Sequence, residues 1–162
     1  MKKLLSVPIT SLFFATSILS TSALSDSQDR SVSAGLQDRF IGAWRLVWLE
    51  EPDAEGKVHR AESSGMLVYT RDGHMSVQVM YRNPQTGGQA GPAQYAHGGY
   101  EASFGRYAVD ERAHSFTFHV EGAIVRSLIG KELPRVYEFS GKQLIVKSSN
   151  PNEHWRVAWE HY

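Results

Sequence analysis

"GMLVYTRDGHMSVQVMYR", residues Gly65 to Arg82, decides the fold. Two short runs of period two flank Arg71-Asp72-Gly73, and an Asp-Gly pair between alternating runs is a strong β-hairpin signal. The same rhythm continues on both sides. "GAWRLVWLEE" precedes it, with "DAEGK" turning the chain and "VHRAE" adding a short strand. "SFGRYAVD", "HSFTFHVEGA", "LPRVYEFS", "KQLIVKSS" and "EHWRVAWEHY" follow, joined by "DERA", "SGK" and "NPNE". Eight or nine closely spaced strands predict an all-β barrel or sandwich. The short connections favour an up-and-down antiparallel meander, because sequential strands usually pair. One segment departs from the rhythm. "RNPQTGGQAGPAQYAHGGYEA" is rich in Gly, Pro and Gln and too long for a hairpin turn. It reads as a lid, with a short helix opened by Pro92 and running through Ala102.

The chain has 162 residues, one domain's worth. "MKKLLSVPITSLFFATSILSTSALS" has a charged start, an apolar run and small residues at Ala23-Leu24-Ser25, the pattern of a cleaved signal peptide over residues 1–25. Residues 26–38 are polar and small and read as a disordered leader, which leaves residues 39–162 for the barrel domain. Of 17 basic and 17 acidic residues, the segment 1–25 removes Lys2 and Lys3 and no acid, so 15 face 17. That slightly acidic balance argues against a nucleic-acid partner, and against a membrane partner after cleavage. The chain lacks cysteine, which rules out thiol chemistry and suits a periplasmic or secreted protein. Nothing in the sequence indicates a cofactor, or decides between monomer and dimer.

Five segments in order resemble a known family: Gly42 to Leu46, "GMLVYTRDGHMS", "YEASFGRY", "HVEG" and "RVYEFSG", with Trp159-Glu160 near the end. Together they resemble the bacterial and fungal lipocalin-like domain family over residues 40 to 160. The resemblance implies a lipocalin-like barrel around a cavity, and no single activity. It implies that Gly42 and Trp44 open the first strand, with Trp44, Leu46 and Trp48 pointing inward. Related chains often end Trp-Glu-Arg, whereas here His161 follows Glu160. An arginine of lipocalin type closing over Trp44 is then Arg156, or is missing.

Eight strands enclose room for one small ligand. In "SFTFHVEGA", Ser115 to Ala123, the residues Phe116, Phe118 and Val120 share one face, and Thr117, His119 and Glu121 share the other. The sequence leaves open which face is inward. Turned outward, His119 and Glu121 are a surface pair. Turned inward, they are polar cavity liners or an acid–base pair. Arg135 and Tyr137 share a face of the neighbouring strand, "LPRVYEFS", and Gln78 and Tyr107 offer further polar groups. Tyr100 stands in the insertion. The expected ligand-binding set is therefore Gln78, Tyr100, Tyr107, His119, Glu121, Arg135 and Tyr137. A zinc site needs three protein ligands, and the His119–Glu121 pair lacks a third, so no metal is expected. The function this favours is binding of a small, largely apolar molecule that carries a polar group. The alternative is an isomerase or cyclase using His119 and Glu121.

Overall fold

The hairpin forms as its alternation requires. In the computed structural model, which describes residues 35–53, 55–82 and 92–162, strands β3 (Ser63–Tyr69) and β4 (His74–Tyr81) pair from Ser63↔Tyr81 to Tyr69↔Met75. Leu67, Tyr69, Met75, Val79 and Tyr81 are buried, while Ser64, Met66, His74 and Met80 face solvent. The other strands are β1 (Gly42–Pro52), β2 (Val58–Arg60), β5 (Tyr100–Asp110), β6 (Ser115–Ala123), β7 (Glu132–Ser140), β8 (Gln143–Ser148) and β9 (Arg156–His161). From β3 to β9 each strand pairs antiparallel with the next, and β1 pairs with both β3 and β9. Eight strands thus close an up-and-down barrel, which leaves no free edge among them. The ninth, β2, adds to the end of β1 through Glu50↔Arg60 to Pro52↔Val58.

Two bulges reset the alternation. On the β1–β9 ladder, Leu46 faces Trp159 and Trp48 faces Ala158, so Val47 is extra. Beyond it the buried set moves from Trp44 to Leu49 and Glu51. Trp48 turns to the outer surface, between the guanidinium groups of Arg60 and Arg156. This corrects the inward placement of Trp48, because one inserted residue flips every side chain after it. The second bulge is on β6, where Glu121 falls between the pairs Gly105↔Val120 and Phe104↔Gly122.

Aromatic rings close one end of the barrel. Residues 35–38 form a helical turn, and the N–H groups of Arg39 and Phe40 bond the carbonyls of Leu36 and Gln37 at 3.0 Å each. Residues 35–38 of the expected disordered leader are thus ordered, and the rest of it lies outside the described residues together with the expected signal peptide. The turn drives Phe40 into the barrel, where it has no exposed surface. Its ring centroid lies 5.2 Å from Tyr69, 4.9 Å from Tyr137 and 5.2 Å from Phe139, all edge-on. Trp44 stands beside it and donates Nε1–H to the Phe40 carbonyl at 2.8 Å.

His161 stacks on Trp44 with centroids 3.6 Å apart. It follows Trp159-Glu160, where the resemblance implies an arginine. Arg156, expected to close over Trp44, instead lies on the outer surface and donates to Glu50 at 2.6 Å. Gly42 is required here for two reasons. Its φ is +131°, and a Cβ would approach the His161 ring to 3.0 Å.

At the opposite end the insertion returns as a 3-10 turn, Pro92–Tyr95. The helix expected through Ala102 stops at Tyr95. Gly98 and Gly99 take φ of +61° and +77°, and Tyr100 already belongs to β5. Residues 83–91 lie outside the described residues.

Candidate functional site

Between the aromatic plug and the Pro92–Tyr95 turn the barrel holds a cavity. Its volume is about 70 Å³, several times the roughly 10–15 Å³ that one water requires. Most of the wall is apolar, including Leu67, Val79, Phe118, Val146 and Val157. The charged side chains among the described lining residues are Glu101 on β5 and Arg135 on β7. Ser103, Tyr69 and Tyr95 add hydroxyls. An apolar cleft with a few convergent polar groups is the usual make-up of a small-molecule site.

The strand period places these groups. Glu101, Ser103 and Tyr107 lie two and four residues apart on β5 and point inward together. Arg135 is almost wholly buried. Its guanidinium carbon sits 5.1 Å from the ring centroids of both Tyr95 and Trp155, and Nη1 donates to the Pro134 carbonyl at 3.2 Å. Two aromatic faces thus hold the cation where water is scarce.

Glu153 fixes that clamp. Its Oε2 accepts from the Tyr95 hydroxyl at 2.8 Å and from Trp155 Nε1 at 3.0 Å, and Asn150 Nδ2 donates to Oε1 at 3.2 Å. Burial pushes the Glu153 carboxyl up, but the bonds from Trp155, Tyr95, Ser148 and Asn150 together hold it below the usual carboxylate range.

Two polar groups in this cavity lack partners. Burial raises the Glu101 carboxyl to about 7, opposed by the Arg135 charge, and no hydrogen bond contributes. The buried Tyr69 hydroxyl has no hydrogen-bond partner. Its pKa is pushed far up, chiefly by burial, then by Tyr107, with Arg135 opposing. Buried polar groups are nearly always satisfied, and a bound group that reached the Tyr69 hydroxyl would supply its missing partner. Outside the cavity lining, Glu51 is a fully buried carboxyl. Glu51 accepts from the Tyr81 hydroxyl at 3.3 Å, and burial raises it despite His59 nearby.

Of the residues expected at the site, Arg135 lines this cavity. Tyr107 and Tyr137 point inward but belong to the aromatic plug; Tyr107 donates its hydroxyl to the Thr70 carbonyl at 3.0 Å. The other four are corrected to the outside. Gln78 lies on the outer face of β4, its Nε2 bonded to Ser76 Oγ at 2.6 Å. Tyr100 is exposed. His119 Nδ1 meets Glu132 Oε1 at 2.7 Å, and Arg106 Nε donates to Glu121 at 2.9 Å, both on the surface. The reason is burial: Phe116, Phe118 and Val120 form the more apolar face of β6, and that face takes the interior. The surface acid–base pair therefore cannot act on a molecule in the barrel. Glu101 and Ser103 were absent from the expected set. Counting back by twos from Tyr107 finds both.

Among the described residues no group of three His, Cys, Asp or Glu side chains could hold a metal ion. A family model described as "lipocalin-like domain" matches residues 41–161. The fold is similar to a crystal structure of a lipocalin-like protein from Bacteroides uniformis, at 12% identity. That likeness covers 76% of this chain and 99% of the other, with a TM-score of 0.45. It is also similar to a redesigned β-barrel at 9% identity, covering 78% and 94% with a TM-score of 0.42. No curated protein sequence matches.

Proposed function

The chain belongs to the lipocalin-like domain family, and we propose that it binds a small, largely apolar molecule inside the barrel, with a polar group of that molecule seated between Glu101 and Arg135. One observation carries this. A mostly apolar cavity holds a buried cation and a carboxyl that no described residue hydrogen-bonds. Leaving such groups without a partner costs free energy, which a bound polar group would recover. The signal-peptide pattern of residues 1–25 supports a periplasmic or secreted setting, where the protein would act as a carrier or scavenger. Native mass spectrometry of the gently purified protein tests the binding. An added mass that is lost on denaturation is the expected result. A bare protein that also fails to take up any apolar probe contradicts it.

A second reading is favoured by Glu101 alone. A carboxyl near 7 inside an apolar cavity, beside a cation, suits general acid–base chemistry. If the barrel catalyses an isomerisation, Glu101 is the base and not His119. The compound extracted from the protein, incubated with wild type and with Glu101→Gln, separates the two. Turnover that Glu101→Gln abolishes supports catalysis, and an unchanged compound supports binding alone.

A further inference from the structure

We propose that the ligand is a monocarboxylate on a slender apolar chain, and that it binds together with a proton on Glu101. This rests on the barrel cavity being a ligand site, and it adds the head group and the pH dependence.

The charge count of the cavity leads to the head group. Arg135 is the single cation among the described lining residues, and Glu101 is the single carboxyl. The guanidinium can present a pair of parallel N–H donors, which match the two oxygens of a carboxylate. It is held against Tyr95 and Trp155 and donates to the Pro134 carbonyl and the Tyr95 hydroxyl, which leaves its other N–H groups for a ligand. A protonated Glu101 would donate to the same carboxylate. An ionised Glu101 would instead repel it at short range in a poorly solvated space. A neutral alcohol gains less from this cation, and an ammonium is repelled by it. A dianion would need a second cation, which the described lining does not contain. The cavity is small, about 70 Å³, and its wall mostly apolar, which favours a slender apolar tail over a bulky one.

Burial and charge set the proton. Glu101 lies near 7 in the free protein, with Arg135 facing it from β7. Around it stand Tyr81 on β4, whose hydroxyl bonds Glu51 of β1, with His59 of β2 beside that carboxyl. Tyr69 of β3 and Tyr95 of the 3-10 turn also line the cavity, and Glu153 bonds Tyr95. The tyrosines are all pushed upward and stay neutral across the working range. Glu153 is held low and stays ionised. Glu51 is raised by burial but keeps its bond from Tyr81, farther from the guanidinium. Of the two charged side chains among the described lining residues, Arg135 keeps its charge and Glu101 is the one that can lose it. A carboxylate ligand arriving raises its pKa further, so binding takes up a proton.

The test uses octanoate, 1-octanol and octylamine with the purified protein, by calorimetry at about pH 6 and about pH 8.5. Octanoate itself stays ionised at both. The expected result is that octanoate binds and the other two bind at least tenfold more weakly at about pH 6. Its affinity should fall roughly 30-fold by about pH 8.5, from the fraction of Glu101 that keeps its proton. Glu101→Gln, which keeps a donor without the charge, should bind octanoate equally at both values, and Arg135→Met should lose it at both. Octanoate affinity that is flat with pH in the wild type, or a pH dependence that survives in Glu101→Gln, overturns the proton coupling. Octanol binding as well as octanoate overturns the carboxylate assignment while leaving the apolar cavity site standing. If none of the three binds, the cavity reading itself fails with it.

Discussion

The two ends of this barrel are built from similar residues and do opposite things. At one end Phe40, Tyr69, Tyr137 and Phe139 pack edge-on into a solid plug, with Trp44 beside them and His161 stacked on Trp44. At the other, Tyr95 and Trp155 face a guanidinium instead of each other's neighbours, and a gap stays open beside them. Aromatic content alone does not distinguish a core from a ligand clamp. What differs is the placing of charge. The buried polar atoms of the plug are neutral, as with the Trp44 Nε1–H on the Phe40 carbonyl and the Tyr69 and Tyr137 hydroxyls. The open end buries Arg135 and Glu51 and sets the half-buried Glu101 in the cavity wall.

Mutations that separate the ends should separate stability from binding. Phe40→Ala removes the plug's central ring and should cost about 3–5 kcal/mol in urea unfolding, while the folded fraction still binds its ligand. Loss of binding at full folding would mean that the plug reaches the site. Glu101→Gln should have the next largest effect, and it shows as a slope. Its folded pKa is raised from the usual 4.5 to about 7. The stability it contributes is therefore complete below about 4.5 and is lost as pH rises through 7, on the order of 3 kcal/mol in all. Unfolding free energies measured across that window should flatten in the variant.

Tyr95→Phe comes third. It removes one hydrogen bond to Glu153 and should cost about 1 kcal/mol. The remaining Glu153 bonds stabilise the fold above the usual carboxylate pKa and are lost as pH falls through its lowered folded value. The variant should thus differ from wild type less in acid than at neutral pH. Smallest is the outer face of β6. The double variant His119→Ala, Glu121→Ala breaks two exposed pairs and should shift stability by no more than about 1 kcal/mol. Ligand retention should not change.

The strand count, the hairpin, the meander and the Gly42–Trp44 start were legible because they depend on period and turn chemistry. Absolute phase was not. A period-two pattern gives two faces and does not say which is inward. For β6 the answer lay in Phe116, Phe118 and Val120, whose apolar area outweighs any gain from burying His119 and Glu121. For β1 the single extra residue Val47 reversed the pattern midway, and nothing in "GAWRLVWLEE" announces a bulge. The site was half legible. Arg135 stood out by its company with Tyr137. Glu101 was hidden inside a segment read as lid and helix, though the phase set by Tyr107 points to it. His161 was noticed as a departure from arginine, and its stacking on Trp44 appears once the barrel closes.

The most direct measurement is native mass spectrometry of three proteins side by side: wild type, Arg135→Met and His119→Ala. The expected result is one retained or added ligand on the wild type and on His119→Ala, and none on a folded Arg135→Met. Ligand kept by Arg135→Met and lost by His119→Ala would place the site on the outer face and contradict the assignment of the open end.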